Sequence, residues 1–247
     1  MDPIRFVNSL VLADSEHVLH SKGKLPRLGS NKSEGYVDAG GLVSFTEKLT
    51  GQNKADVLNS TLLAQLAASK KHDRQTESDK WYKEYTNVLM NVGWVVQDFT
   101  FTEYNSKQES FEISKVVVEL LLSLVGDEEP LLVDATKKTL EALKNSSSDT
   151  LKLFGSNSSS GKSGNFQIVP CTVDKSGQVT VAFIASYFNA SSVNYDFLFF
   201  TYQDSAIKLK KSTDTFTLNE EVYAQVRQAI VDKLGARVKK FVKDLDA

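Results

Sequence analysis

The chain has 247 residues, of which 29 are Lys or Arg and 31 are Asp or Glu, so its formal net charge is −2. This balance gives no general attraction to polyanions, and we expect no nucleic-acid partner. The single cysteine, Cys171, excludes an internal disulfide. The first ten residues, MDPIRFVNSL, lack the charged start and long apolar centre of a secretory signal. We therefore expect a protein made in soluble form in the cytosol.

The first 36 residues are predicted to form an arm, followed by one domain over residues 37–247. His20–Tyr36 combines glycines and a proline with polar and basic residues, a composition typical of linkers. Basic residues in such a setting are sites for trypsin-like proteases. The candidate cleavage sites are Lys22, Lys24, Arg27 and Lys32.

Two helical hairpins are predicted before residue 146. Apolar residues spaced by three and four predict a helix over Asn53–Lys71, with Asn53 as its N-cap. A second helix is predicted over Ser78–Asn91 and ends at Gly93. In the second hairpin, a short apolar helix over Ser114–Gly126 precedes a helix over Pro130–Asn145, because proline fits the first turn of a helix.

Strand patterns lie between and after these hairpins. Trp94–Tyr104 alternates apolar and polar residues, and Phe111–Ile113 is its predicted return partner. In Val179–Phe188 and Phe197–Tyr202 apolar residues occupy both alternating positions, which is typical of strands covered on both sides. The strands predicted in the C-terminal half are Leu151–Phe154, Phe166–Val173, Gln178–Phe188, Tyr195–Gln203 and Ile207–Lys210.

A last helix is predicted to begin after Asn219, and Gly235 bends or splits it. Its apolar stripe runs from Val222 to Leu245, with lysines and arginines on the opposite side. With the two hairpins, it supplies the helical cover for the sheet. We therefore expect an α/β fold, a single three-layer domain whose mostly antiparallel sheet is covered by helical hairpins.

The sequence carries no motif of an enzyme active site, and we expect no catalytic residue, metal or cofactor. Gly161, Lys162 and Ser163 match the last three residues of a phosphate-binding loop. The glycine that should precede them by four intervening residues is absent, because Gly155 lies one residue too far from Gly161. A β-like run follows them instead of a helix, so this segment is predicted to be a hairpin loop. His17 and His20 lack a third metal ligand. For Cys171, burial as an unmodified thiol and acylation both stay open.

Phe197–Ala206 has the sequence FLFFTYQDSA and resembles a late strand of the Cyt-type cytolytic δ-endotoxins. The order of strands from Leu151 onward is also similar to that family. The resemblance implies a Cyt-like sheet wrapped by helices and an insecticidal virulence protein, without an enzyme active site, that is trimmed by proteases. Such a protein is delivered to target membranes, binds lipid directly and forms pores. Whether it forms a homo-oligomer is left open.

Strands that are apolar on both faces suit membrane insertion, since they exchange helix contacts for lipid when the helices move away. Two other classes stay open, namely a non-enzymatic lipid- or acyl-binding virulence factor and a self-assembling structural or inclusion protein. The candidate insertion residues are Val179, Val181, Phe183, Ile184, Phe197, Leu198, Phe199 and Phe200.

Overall fold

The computed structural model of the chain describes residues 2–14, 32–96, 99–106, 108–245 and 247. Within them, nine strands form one sheet and two short strands form a second. The strands are β1 (Glu34–Asp38), β2 (Gly41–Phe45), β3 (Trp94–Val95), β4 (Thr102–Glu103), β5 (Ser110–Glu112), β6 (Ser159–Ser160), β7 (Ser163–Val173), β8 (Val179–Asn189), β9 (Thr201–Gln203), β10 (Lys208–Leu218) and β11 (Val242–Leu245).

The large sheet has the strand order β11-β1-β2-β7-β8-β10-β3, with β4 also beside β10 and β6 beside β7. Among the described pairs, β2 and β7 are parallel and the others are antiparallel. Strands β7, β8 and β10 are the long central strands, and they are hydrogen-bonded neighbours in that order. The predicted mostly antiparallel sheet is confirmed.

The helices cover both faces of this sheet and give the molecule three layers. Residues of α1, α2, α3, α7 and α8 share one apolar core with one face of the sheet. Residues of α4, α5 and α6 share a second core with the other face. The predicted α/β sandwich is therefore confirmed. The helices are α1 (Pro3–Ser9), α2 (Gly51–Lys71), α3 (Ser78–Asn91), α4 (Ile113–Val125), α5 (Pro130–Lys144), α6 (Ser148–Ser158), α7 (Glu220–Leu234) and α8 (Arg237–Phe241).

Local sequence explains most helix ends. The α2 helix begins with a capping box in which the Thr50 side chain accepts a hydrogen bond from the Asn53 backbone and the Asn53 side chain accepts one in return. The N-cap is Thr50, three residues before the predicted Asn53, and the helix begins at Gly51. After α3, Gly93 has φ +107°, which a residue with a side chain rarely adopts.

Several predicted strands are wrong, shortened or paired with a different partner. Leu151–Phe154 lies inside α6, because Ser147 caps a helix there by accepting a hydrogen bond from the Thr150 backbone. Among the described residues of Trp94–Tyr104, those of β3 and β4 pair, and both strands pair with β10. Phe111 pairs with Tyr202 of β9, which replaces the expected partner.

The two ends of the described chain also join the fold. Helix α1 packs on α7, and β1 lies within the sheet. Beyond Gly235 the predicted long helix is interrupted. Helix α8 is followed by β11, which pairs with β1. Leu245, expected on a helical stripe, is a strand residue whose side chain is buried.

Candidate functional site

The two faces of the sheet hold their helices by different forces. On the α2–α3 face, a buried polar network joins the sheet to both helices. Its centre is the turn between β1 and β2, where Thr61 Oγ1 of α2 donates to Asp38 Oδ2 at 2.6 Å. Gln65 of α2 donates to the backbone oxygen of Asp38 at 2.9 Å and accepts from the Gly40 backbone at 3.1 Å.

Arg74, in the connection between α2 and α3, ties this network to the central strands. Its guanidinium donates to the Gln65 side chain at 3.0 Å, to the Gly40 backbone at 3.1 Å and to the Gln167 side chain at 2.8 Å. The Nε atom donates to the Asn165 backbone at 3.1 Å. The guanidinium carbon also lies 4.4 Å from the centre of the Trp81 ring. Four hydrogen bonds and a ring contact fix this side chain to β7 and α3.

Burial shifts the ionisation of both charged members of the network. Asp38 is fully buried, and desolvation raises the pKa of its carboxyl to about 7, although the Thr61 hydroxyl and the Arg74 charge act in the opposite direction. Asp38 Oδ1 has no hydrogen-bond partner among the described residues. Burial likewise lowers the pKa of Arg74 to about 10. The Asp38 carboxyl therefore titrates near neutral pH.

Buried ion pairs add to the attachment of this layer. Lys54 of α2 is fully buried, and its Nζ lies 3.0 Å from Glu34 Oε2 of β1. Asp56 of α2 is also fully buried and accepts two hydrogen bonds from Arg227 Nε and one from Nη2 of α7. Removing one member of such a pair would leave an uncompensated buried charge. The α2–α3 layer is thus bound to the sheet and to α7 by polar contacts as well as apolar ones.

The α4–α5 layer is held mainly by apolar packing. Val117 and Leu121 of α4 and Leu143 of α5 are buried against Ile184 and other residues of the second core. One buried polar contact from this helix pair to the sheet joins Ser44 Oγ of β2 and Thr136 Oγ1 of α5 at 3.1 Å. At the rim, Tyr104 Oη donates to Glu119 Oε2 at 3.1 Å. This layer has no counterpart, among the described residues, of the network around Arg74.

A glycine in β1 makes room for a side chain of α5. A Cβ atom at Gly35 would lie 2.6 Å from Thr139 Oγ1, so the glycine leaves the space that α5 fills. Helix α4 is the more apolar member of the pair and exposes Leu122 near its end. Of the described helices, none combines the length and the apolar character needed to cross a bilayer.

The insertion candidates of β8 divide between the two faces of the sheet. Val179, Val181 and Phe183 belong to the core under the α2–α3 layer. Ile184 belongs to the core under the α4–α5 layer. The prediction that this strand is apolar on both faces is confirmed, because residues of opposite parity lie in opposite cores.

The insertion candidates Phe197–Phe200 do not form a strand. Phe197–Phe199 is a 3₁₀ turn, and pairing begins only at Thr201. Phe197 and Leu198 are buried in the second core, whereas Phe200 is 54% exposed. The predicted Tyr195–Gln203 strand is therefore wrong for its first six residues, because β9 pairs only with the three residues of β5.

The remaining candidates fall in different places. Lys22, Lys24 and Arg27 lie outside the described residues, as do His17 and His20. Lys32 is exposed, and its backbone oxygen accepts from Lys54 Nζ at 3.3 Å. Cys171 is fully buried in β7, where burial raises the pKa of its thiol and Sγ donates to the Val169 backbone oxygen at 3.2 Å.

Of the two chemical motifs, the phosphate-loop-like segment has a structural explanation, whereas His17 and His20 lie outside the described residues. Gly161 and Lys162 form the turn of the hairpin between β6 and β7, as predicted, with Gly161 at φ +52°. Within the described ranges, no three His, Cys, Asp or Glu side chains come close enough to hold a metal ion. His72 faces Glu77, with 3.9 Å between Nδ1 and Oε2.

The polar network around Arg74 was not predicted from the sequence. Asn165 and Gln167 interrupt an otherwise apolar run in β7, and such polar residues in a doubly covered strand need buried partners. That interruption was the available signal. The partners themselves lie far away in the chain and follow no spacing rule.

Comparison with known proteins gives matches at the level of structure alone. No protein-family model and no curated protein matches the chain. A structure described as a δ-endotoxin is 11% identical and has a TM-score of 0.44, with 85% of this chain and 89% of the other covered. The structure of the Evf virulence factor is 12% identical, with a TM-score of 0.40 and coverage of 96% and 87%.

Activated Cyt2Ba monomer from Bacillus thuringiensis subsp. israelensis is a third match, at 10% identity and a TM-score of 0.35, with 56% of this chain and 79% of the other covered. The solved structures to which this chain is similar thus include a Cyt protein.

Proposed function

We propose that this protein is a membrane-active, pore-forming toxin that acts without an enzyme active site and opens its α4–α5 layer on contact with lipid. The observation that carries the proposal is the unequal attachment of the two layers. Apolar contacts of α4 and α5 can be exchanged for contacts with lipid chains at little cost, because lipid chains are as apolar as leucine. The network around Arg74 has no equivalent partner in a lipid phase.

The size of the apolar contact explains why the layer stays closed in water. Burying one aliphatic side chain contributes about 1.5–3 kcal/mol. Nine such side chains on α4 and α5 together contribute on the order of 20 kcal/mol, more than the whole stability of a typical domain. Lipid is therefore needed for opening. The nine are Ile113, Val116, Val117, Leu120, Leu121, Leu132, Val133, Leu140 and Leu143.

Opening this layer would present one defined face of the sheet to lipid. That face carries Phe166 and Ile168 of β7 and Ile184 and Phe188 of β8. Of the β8 candidates named from the sequence, Ile184 would meet lipid, whereas Val181 and its neighbours of the same parity would stay under the α2–α3 layer. Lipids are thus the partner in this proposal.

Proteolytic trimming of the arm belongs to the same proposal. Limited trypsin digestion should cut first between His20 and Tyr36, at the basic residues of the arm. The cut is located by mass spectrometry of the fragments. An arm that stays intact while other loops are cut would contradict this activation step, without bearing on the opening of the layer.

A disulfide that ties α5 to the sheet tests the opening. In Ser44→Cys/Thr136→Cys, made in a Cys171→Ala background, the two thiols replace hydroxyls 3.1 Å apart, and a small shift of the side chains brings the sulfurs to the disulfide bond length of about 2 Å. We expect the oxidised protein to release no dye from vesicles and the reduced protein to release it as the background protein does. The matched control is Thr46→Cys/Thr172→Cys, whose hydroxyls lie 3.2 Å apart and link the residue after β2 to the neighbouring strand β7, so that this disulfide joins two strands and no helix.

The outcomes separate the parts of the proposal. Equal release by the oxidised α5 lock and the control would refute opening of this layer. No release by the folded background protein, intact or trimmed, would refute membrane activity. In that case, a co-purified fatty acid in native mass spectrometry would favour the lipid- or acyl-binding alternative, and assembly that rises with concentration would favour the self-assembling one.

A further inference from the structure

One end of the sheet combines exposed aromatic rings with lysines. Strand β8 ends there and β10 begins there, and Ala190–Ile207 connects the two. In this segment Tyr195 is 50% and Phe200 is 54% exposed, and Phe199 is half-buried. We define the aromatic end as these three rings together with the lysines that flank them.

Two of the three rings, those of Phe200 and Tyr195, pack against other parts of the fold. The Phe200 ring contacts the buried Tyr202 ring edge to face, with 5.1 Å between centroids. Tyr195 lies against α6 at Gly155, where a Cβ atom would come within 2.6 Å of the tyrosine ring. A cleft of about 360 Å³ runs beside Phe200 and Phe197. The exposed halves of the rings are therefore presented outward at little conformational cost.

One lysine contacts a ring of this end, and two others lie on the backbone beside the start and the end of the connecting segment. The Lys144 ammonium is 5.8 Å from the centre of the Phe199 ring. The backbone oxygen of Lys162 accepts from the Ala190 backbone at 2.8 Å, and Lys208 pairs with Asn189 at the end of β8. The Lys162 and Lys208 side chains are exposed, and Asp196 is an exposed acid of the same segment. Lys115, Lys137, Glu112 and Glu141 line the same cleft as Lys144 and Phe199, and Asp204 also belongs to the segment. Five lysines therefore accompany four acidic residues here, a small excess of positive charge.

We propose that the aromatic end is the surface by which the folded protein first binds an anionic bilayer, before any helix moves. Exposed aromatic rings enter the headgroup region, and flanking lysines bind its negative charge. Charge complementarity favours anionic lipid over a protein partner, because the surface places a lysine ammonium over an aromatic ring and exposes further lysines beside it. This inference rests on the membrane activity proposed above.

Vesicle partitioning of paired variants tests the surface. Phe200→Ser removes an exposed ring, and Val231→Ser, on the outer face of α7, is a matched control at 42% exposure. Binding is measured by flotation with phosphatidylcholine vesicles, alone or mixed with phosphatidylglycerol. We expect Phe200→Ser to lower partitioning roughly tenfold and Val231→Ser to leave it unchanged.

A second variant keeps the test independent of any packing change. Lys144→Gln/Lys162→Gln/Lys208→Gln alters exposed side chains only and should lower binding to the anionic vesicles roughly 100-fold. Its binding to phosphatidylcholine alone should not change.

Tryptophan fluorescence gives a third readout. The emission of Phe200→Trp should shift to the blue on binding and be quenched by brominated acyl chains, whereas that of Val231→Trp should do neither.

The results distinguish failure of the surface from failure of the function. If the ring and lysine variants bind as the unchanged protein does while dye release persists, the aromatic end is not the contact surface and the proposed function stands. Equal losses in Phe200→Ser and Val231→Ser would also overturn the surface. If the unchanged protein binds neither kind of vesicle, both proposals fail. Loss of self-association in Phe200→Ser without loss of lipid binding would assign the surface to a second copy of the chain.

Discussion

The buried carboxyl of Asp38 makes a quantitative prediction about stability and pH. The pKa of this group is raised from 3.8 to about 7 in the folded protein, chiefly by desolvation. A carboxyl with a raised folded pKa contributes stability that is complete below its unfolded pKa and is lost as pH rises through the folded pKa. A tenfold change in a proton-binding constant corresponds to about 1.4 kcal/mol, so full ionisation of Asp38 costs about 4 kcal/mol.

Asp38→Asn removes this titration and keeps the oxygen that accepts from Thr61 and Gln65. Between about pH 5 and about pH 8, we expect the free energy of unfolding of the variant to rise relative to the unchanged protein by about 3 kcal/mol. In a chain of this size that equals a difference in melting temperature of about 5–10 °C. Urea unfolding followed by circular dichroism measures the change at both pH values.

The matched control is Asp174→Asn in the exposed turn between β7 and β8. The Ser176 hydroxyl and neighbouring backbone groups lower the pKa of Asp174, so this carboxyl is ionised throughout the range from about pH 5 to about pH 8. The change in the free energy of unfolding caused by Asp174→Asn should therefore be the same at both pH values. A stability difference for Asp38→Asn that is equally constant would refute the reasoning. It would mean that Asp38 stays charged throughout, with Arg74 as its effective counter-ion.

Three further predictions concern other contacts. Arg227→Ala should cost about 3–5 kcal/mol in urea unfolding, because it leaves the fully buried Asp56 charge without its partner; a loss below about 1 kcal/mol would contradict this. Gly155→Ala should cost about 1–3 kcal/mol despite alanine's better helix propensity, because its Cβ would lie 2.7 Å from the Tyr195 backbone, and a stabilised variant would refute it. The Cys171 thiol should react with a disulfide reagent only on unfolding, since it is buried and its pKa is raised; rapid labelling of the folded protein would disprove its burial.

Sequence patterns predicted those parts of the fold in which local and tertiary preferences agree. The α3 helix has its apolar stripe and its terminal Gly93, and β8 has apolar residues at both parities, so both were predicted correctly. Leu151–Phe154 was misassigned because four apolar-rich residues fit a strand as well as a helix. The cap at Ser147, three residues before Thr150, decided for the helix.

The candidate site was less predictable than the fold. The apolar strands and their helical covers follow from periodicity, but the unequal attachment of the two layers does not. It depends on contacts such as that of Arg74 with Gln167, more than 90 residues apart. Buried polar partners of this kind have no repeat in the sequence, and their pairing becomes visible only when the strand register is known.

The pairing of β1 with β11 has a consequence for how the protein is made. Gly35 pairs with Leu245, almost the full described length away, whereas β2 covers only the other side of β1. Roughly 200 residues separate β1 from β11 along the chain. At synthesis rates of about 5–20 residues per second, the outer edge of β1 therefore stays uncovered for about 10–40 s. An uncovered strand edge can pair with other chains. Crowded nascent chains on one messenger would therefore associate through β1 unless a chaperone or the arm shields that edge until β11 is complete.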